Sequence, residues 1–513
     1  MKTLLDFLKY TKNILTSEEY NAILLNANGL GFDNKLIVEN SGFAVANAIR
    51  QKYKSKNICI ICGKGYLGAV GLSTARHLLN YANLSVILLN NNEEIKNQVT
   101  LFNYERLSEL INVKIINENN VSDLNNILKN NEVVISAIIG GGLRGRLSKF
   151  ILKIVNLINE SKKNIICIDV PTGIDPDKGT TNIDYIKSNT VFCLYKIRQG
   201  IAKTKAIQNF VTIIDNKIPI SAELLTGNGD IALATESRNI NINKYSNGSV
   251  LVIGGSEKYH GAPILSGSAA KNALAVLRVG SGYVTVIVPK SIEKIVKSIS
   301  PDIIVNSMQF NDINKSMKFI SEIKHNSIVI GPGSANEICF KLLASILKYE
   351  KAKENISIID GDAIKLIKEN TKLLNSNVIL TPHEGEFFKL TNMNLKQKNF
   401  CEKIDVAIET AKTFKCIIVL KGDKTIITDG HQLKINNIPN PALAVMGSGD
   451  VLSGIISSYA AMHKNAFECA VAGVYAHSKI SYNLYIEKGM HIIPDDIINA
   501  LPKELKEFDR IIT

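Results

Sequence analysis

Short apolar runs recur along this chain at intervals that each leave room for one amphipathic helix, and this rhythm restricts the fold more than any other feature. Runs at 57–62, 84–89, 132–139, 164–170 and 190–195 form a first series, and a second begins at 249. Strands alternating with helices imply parallel, doubly wound sheets, because a parallel strand pair needs a crossover that covers the sheet. Between the two series, 216–247 is polar and broken, with Thr226-Gly-Asn-Gly229 and Tyr245-Ser-Asn-Gly248, which places a domain boundary near 230. A chain of 513 residues has room for two to four domains, each with its own core. A helix expected over about 262–279 carries an early proline and a small, alanine-rich face.

The chemistry-bearing words lie at the ends of strands. Gly447-Ser-Gly-Asp450 runs straight into the apolar Val451-Leu452, so a glycine-rich turn opens a helix and sets one carboxylate in its first turn. Free amides and the positive end of the helix dipole attract a phosphate, and the same field favours ionised Asp450, suited to taking a proton from a hydroxyl. Thr381-Pro-His-Glu-Gly-Glu386 follows the run Val378–Leu380, and Lys421-Gly-Asp-Lys-Thr425 follows Cys416–Leu420. Ser327 to Gly333 ends in Gly-Pro-Gly, and Ile356 to Asp362 in Asp-Gly-Asp. Singly, each is an ordinary turn or a solvated charge. Together, on successive strands, they predict one shared site where open α/β sheets bind ligands.

Composition excludes other classes. Apolar residues make up 45% and charged residues 21%, as in globular chains. The net charge of +13 is spread without a basic tail or an arginine-rich block, so neither nucleic acid nor a membrane is expected as a partner. Cys59 and Cys62 form a lone Cys-x-x-Cys inside an apolar strand, where an offset of three points them to opposite faces; buried thiols are expected, not a redox or zinc site. Asp6 and Lys9 interrupt the leading leucines, and no apolar run reaches a membrane span, so a cytoplasmic protein is expected.

The words Val250-Leu-Val-Ile-Gly-Gly-Ser256, Gly261-Ala-Pro263, Thr381-Pro-His-Glu-Gly-Glu386, Val419-Leu-Lys-Gly422 and Gly447-Ser-Gly-Asp-Val-Leu-Ser-Gly454 agree in order and spacing with one family. The chain resembles the bifunctional NAD(P)H-hydrate repair enzymes. That resemblance implies an epimerase-like Rossmann domain over 1–225 and a ribokinase-like dehydratase domain over 226–513. It also implies a reaction: the extra hydroxyl of hydrated NADH or NADPH is phosphorylated from ADP or ATP, ADP being expected here, and loss of phosphate restores the ring double bond. By the same resemblance Asp450 is the base, Gly447, Ser448 and Gly449 hold the phosphoryl group, and Lys421, Gly422, Asp423, Lys424 and Thr425 contact the nucleotide together with Gly449. Ala262, Gly333 and His383 would line the hydrate pocket with Asp450, Glu386 would relate to magnesium, and a homo-oligomer is expected. Several positions depart from the family. Val445-Met446 stand where Thr-Gly is usual, Ser334-Ala335 follow Gly-Pro-Gly, and Glu384 replaces a proline.

In the first domain, Glu39-Asn-Ser-Gly42, Gly63-Lys-Gly65, Gly140-Gly-Gly142 and Ile168-Asp-Val-Pro-Thr-Gly-Ile-Asp175 match the epimerase family in order. The resemblance implies a potassium ion, but Tyr66 and Leu67 replace two asparagines, Val70 an aspartate, and Ser136 a second aspartate. Asp169, expected at the hydrate, and Thr172 persist beside Ser136 as a degraded potassium site, so a weak or inactive epimerase is expected. A Rossmann dinucleotide loop at Gly63–Gly68 is the rival reading there; Leu89 and Asn90 supply no acidic residue after the next strand. For the second domain the rivals are a vitamin-precursor kinase of the same superfold and a nucleotide-binding protein without catalysis.

Overall fold

The computed structural model describes residues 4–54, 57–89, 95–143, 145–181, 184–243, 246–256, 279–298, 303–334, 338, 340–368 and 371–512. Ala262, and all but the last residue of the helix expected over 262–279, lie outside the described residues. The chain forms two compact units, one of residues 12–222 and one of residues 223–513 with 1–11.

The first unit is built on seven strands: β1 (Asn57–Cys62), β2 (Asn83–Leu89), β3 (Val113–Ile116), β4 (Val133–Ala137), β5 (Asn164–Ile168), β6 (Thr190–Leu194) and β7 (Val211–Ile214). Their order is β3-β2-β1-β4-β5-β6-β7 with every pair parallel, as the rhythm of apolar runs predicts. Each face of this sheet has its own core: Ile58, Ile60 and Cys62 join one, Cys59 and Ile61 the other. The Cys59 and Cys62 thiols thus lie back to back across the sheet, and burial pushes the Cys59 thiol up to about 12. The order in which successive strands are added reverses between β1 and β4, so the connections leaving their carboxyl ends diverge and leave a crevice.

Among the described residues, the main sheet of the second unit has nine strands: β8 (Ser249–Ile253), β9 (Tyr283–Pro289), β10 (Ile304–Met308), β11 (Ser327–Ile330), β12 (Ile356–Ile359), β13 (Val378–Leu380), β14 (Ile417–Leu420), β15 (Thr425–Thr428) and β16 (Leu433–Asn436). The order is β10-β9-β8-β11-β12-β13-β14-β15-β16, parallel except for the final antiparallel meander. Val250 and Val252 enter a core shared with two long helices, while Leu251 and Ile253, equally buried, face the other way. Strands covered on both faces read as unbroken apolar runs, which is why the sequence shows them so clearly. Within the stretch read as polar and broken, Asn228–Ala234 is a helix, with the Gly227 amide donating to the Asp230 carboxylate at 2.7 Å and Lys434 pairing with Asp230 at 2.7 Å.

One helix end is a proton-sensitive clamp. His463 closes the carboxyl end of the helix Ser448–Met462 and holds Glu236 through Nδ1 and Glu468 through Nε2, both at 2.7 Å. Burial pulls the imidazole down, but the two carboxylates outweigh it and hold His463 above its ordinary value of 6.5. Because the folded-state value exceeds the unfolded one, the clamp's contribution is complete below the unfolded value and lost as pH rises through the folded one. We expect the unfolding midpoint of the wild type to fall through and above neutral pH more steeply than that of His463→Asn. Parallel pH profiles for the two proteins would contradict this.

Candidate functional site

In the second unit, five neighbouring strands end side by side in Gly254, Gly331, Asp360, Thr381 and Lys421, and the order of strand addition reverses between β8 and β11. The ends are stitched together: Gly331 N–H donates to Ile253, Asp360 N–H to Ile330, Thr381 N–H to Ile359 and Lys421 N–H to the Pro382 carbonyl. Gly331 has φ +113, and a Cβ there would stand 2.2 Å from the Asp360 carbonyl, so only glycine fits. Gly333 follows in the same turn. The strand-end words read from the sequence are thus brought to one edge of one sheet.

Lys421 is the electrostatic centre. Its Nζ donates to Asp360 Oδ1 at 3.1 Å and lies 3.9 Å from Glu386 Oε2. Thr381, on the intervening strand, donates its hydroxyl to the same Asp360 oxygen at 2.7 Å. Burial lowers the Lys421 ammonium, but Asp360, then Glu386, and at longer range Asp450 raise it more, so it stays cationic. The pairing of Asp360 with Lys421 was not legible in the sequence; the two residues are 61 apart and lie on strands separated by β13.

His383 and Glu386 form a reciprocal cap on the helix α1 (Glu384–Thr391): His383 Nδ1 accepts the amides of Gly385 at 3.0 Å and Glu386 at 3.3 Å, and Glu386 accepts the amide of His383 at 2.9 Å. With Nδ1 an acceptor, the proton of a neutral His383 is on Nε2, on a side chain that is 59% exposed. Glu386 therefore spends one oxygen on its own helix and lies beside an ammonium. Among the described residues, no group of three or more His, Cys, Asp or Glu side chains is placed to hold a metal ion.

The turn at 447–450 opens the helix α2 (Ser448–Met462), as expected from its glycines. Gly447 is the N-cap in the left-handed region at φ 94, no side chain caps the first amides, and the Ser448 hydroxyl turns back to the Leu443 carbonyl at 2.8 Å. Asp450 is in the first turn. A Cβ on Gly449 would stand 3.4 Å from Lys421 Nζ, so the helix start and the cationic strand end face each other across a narrow gap. Met446 is 81% exposed and points no bulk into the turn. Gly422 to Thr425 form the tight connection between β14 and β15, next to Lys421. Behind the gap, on the helix α3 (Ala466–Lys488), burial together with the Lys421 charge pushes His477 down to about 4, which keeps it neutral. A cavity of about 760 Å³ lies at the opposite end of these strands, around Asn326, Asn355 and Asn377, away from Gly331, Lys421 and the turn at 447–450.

In the first unit, a cavity of about 980 Å³ opens at the reversal between β1 and β4 and is lined by Gly63–Gly65, Tyr66, Leu67, Gly140–Gly142 and Asp169. Asp169, at φ 63 just beyond β5, is buried beside Arg198, with Nη2 to Oδ1 at 3.1 Å. Burial pushes its carboxyl up, against the opposing pull of Arg198 and of backbone hydrogen bonds with Leu194 and Gly141. Thr172 commits its hydroxyl twice, donating to Ile139 O at 2.9 Å and accepting from Ile139 N at 3.1 Å. Ser136 is buried within β4, Val70 belongs to the core, and Leu67 brings a methyl group to Gly140. Arg198 drew no notice in the sequence, since nothing near it repeats or carries glycine-rich spelling.

Residues 250–503 match the family described as NAD(P)H-hydrate dehydratase, and residues 34–200 the family described as YjeF-related protein N-terminus. A bifunctional NAD(P)H-hydrate repair enzyme from Methanocaldococcus jannaschii is 33% identical over 513 residues, covering 97% of this chain and 94% of its own length. The chain belongs to the bifunctional NAD(P)H-hydrate repair enzyme family. Another member, from Pyrobaculum aerophilum, is 30% identical, covering 96% of this chain and 98% of its own length. A solved structure, described as an ADP/ATP-dependent NAD(P)H-hydrate dehydratase from Bacillus subtilis co-crystallised with ATP/Mg2+, is 24% identical with a TM-score of 0.46, covering 54% of this chain and 96% of its own. Like other members of the repair-enzyme family, this chain spans both matched segments.

Proposed function

We propose that the second unit returns hydrated NADH or NADPH to NADH or NADPH, using ADP as phosphoryl donor and releasing AMP and phosphate. The observation that carries this reading is the apposition of Lys421, neutralised on one side by Asp360, with the uncapped amides and Asp450 of the α2 start. Asp450 takes the proton of the ring hydroxyl as the phosphoryl group arrives. The amides of Gly447, Ser448 and Gly449 stabilise the transferring charge, and Lys421 to Thr425 hold the nucleotide. Gly333, His383 and Ala262 bound the hydrate. Glu386 is the residue closest to a magnesium role; with one oxygen already bonded, it fits an ion carried in on nucleotide phosphates, where magnesium would neutralise charge, and not one held by protein alone.

The first unit is an epimerase-like hydrate-binding domain of low or no turnover. A homo-oligomer acting in the cytoplasm is the setting we infer for both units.

The test is to incubate the protein with hydrated NADH and ADP, follow the return of reduced-nicotinamide absorbance, and analyse the nucleotide products. AMP and phosphate should appear in step with NADH, and no phosphorylated product should accumulate. A stable phosphorylated thiazole or pyrimidine, with no effect on hydrated NADH, would move the second unit to the vitamin-precursor kinase reading.

A further inference from the structure

The cavity of the first unit ends on a buried polar cluster, built around the Asp169–Arg198 ion pair, several of whose atoms lack a hydrogen-bond partner. Arg198 is fully buried, its guanidinium carbon 3.5 Å from the centre of the Tyr20 ring, its Nη1 donating to the Lys196 carbonyl at 3.1 Å. Its Nε and the hydroxyls of Tyr20 and Tyr66 are buried without a hydrogen-bond partner, while its Nη2 lies 3.1 Å from Asp169 Oδ1. Tyr20, Tyr66 and Asp169 all line the cavity. Buried polar groups are almost always satisfied, so an orphaned set on a cavity wall indicates a ligand with matching donors and acceptors.

The family's potassium ion is a poor candidate for that role. A hard cation needs several oxygen ligands; here Leu67 offers methyl groups, Val70 is in the core, and both hydrogen-bonding functions of Thr172 are taken by Ile139. A fixed cation is nevertheless present, as the Arg198 guanidinium already lies against Asp169.

We infer that Arg198 is the resident positive charge of this cavity, so that the first unit holds the uncharged, hydroxylated ring end of its ligand through the Asp169–Arg198 pair and the two tyrosine hydroxyls, and takes up no alkali ion. This rests on the reading of the unit as an epimerase-like hydrate-binding domain. Asp169 Oδ1 accepts from the ligand, Arg198 donates to it, and Tyr20 and Tyr66 do either. Arg198 acts as a positioning residue; it charges and orients Asp169.

Crystals of the full chain soaked in rubidium chloride test the cation directly: no anomalous peak should appear near Asp169, Ser136 or Thr172, and a peak there would overturn the inference. Any conversion of R-hydrate to the S epimer by the full chain should run at rates within about twofold in potassium and in choline chloride of equal ionic strength, whereas a potassium dependence of about tenfold or more would refute the inference. Absence of epimerisation in both salts would match a unit of no turnover and leave the rubidium result to decide the cation. For Arg198, the readout is protection of peptides spanning 63–70 and 190–200 from hydrogen exchange when R-hydrate is added. Arg198→Lys should keep that protection and Arg198→Met should lose it; if Arg198→Met does not fold, the double variant Asp169→Asn, Arg198→Met, which leaves no lone buried charge, takes its place. Undiminished protection without a cation at 198 would show the assignment to be wrong.

Discussion

Asp450→Asn is expected to lower hydrate dehydration by on the order of 100-fold to 10,000-fold, the contribution of a positioned base, while leaving nucleotide affinity within about threefold of wild type. The separation follows from where the parts lie. The phosphate cradle is made of backbone amides at an uncapped helix start, and asparagine in the first turn leaves those amides in place. What it removes is the proton acceptor, together with one negative charge near Lys421. Single-turnover kinetics with saturating ADP and hydrated NADH, beside calorimetric titration of ADP, separates the two effects. Retention of more than about half the wild-type rate would remove Asp450 from the chemistry.

Lys421→Met is expected to damage both stability and binding. Asp360 is 3% exposed, and with the ammonium gone its carboxylate keeps only the Thr381 hydroxyl among the side-chain partners described above. Breaking a buried ion pair by removing one partner costs several kcal/mol, and because the Lys421 side chain is itself 21% exposed we expect the lower end, about 3 kcal/mol. ADP affinity should fall by about tenfold or more, since the charge opposite the helix start is lost. Pairing the change with Asp360→Asn leaves no lone charge, so the double variant should regain most of the stability and none of the affinity. Equal instability of the single and double variants, measured by chemical unfolding, would show that the ion pair does not organise the strand ends.

What the sequence reveals here follows from burial. β11, β12 and β13 sit inside a sheet covered on both faces, so their apolar runs are unbroken and their ends are marked by glycine, proline or a charge. Gly331 and Gly447 were visible as words because the backbone geometry at each requires glycine. Neighbour relations across a sheet were not visible. Nothing in residue spacing says that β12 and β14 flank β13, so Asp360 and Lys421 were read as separate turns and not as a pair. Arg198 is hidden for the same reason, its partner Asp169 lying 29 residues earlier at the end of another strand. The helix at Asn228–Ala234 was missed because two nearby glycines look like a broken loop, whereas Asp230 reaching back to the Gly227 amide starts a helix there.

The stitched row of strand ends also bears on how the second unit acquires its activity. Its strand ends, Gly331, Asp360, Thr381 and Lys421, are each held by a backbone hydrogen bond to the neighbouring strand or to the residue just beyond it. Parallel pairings of this kind form late, because the loop entropy between partners is lost before the contacts repay it. No early cluster of helices can present Lys421 to the α2 start, since β12, β13 and β14 must already lie in register. Until those strands are in register the start of α2 faces no ammonium, so the nucleotide site is completed by the assembly of the sheet and not by any one turn.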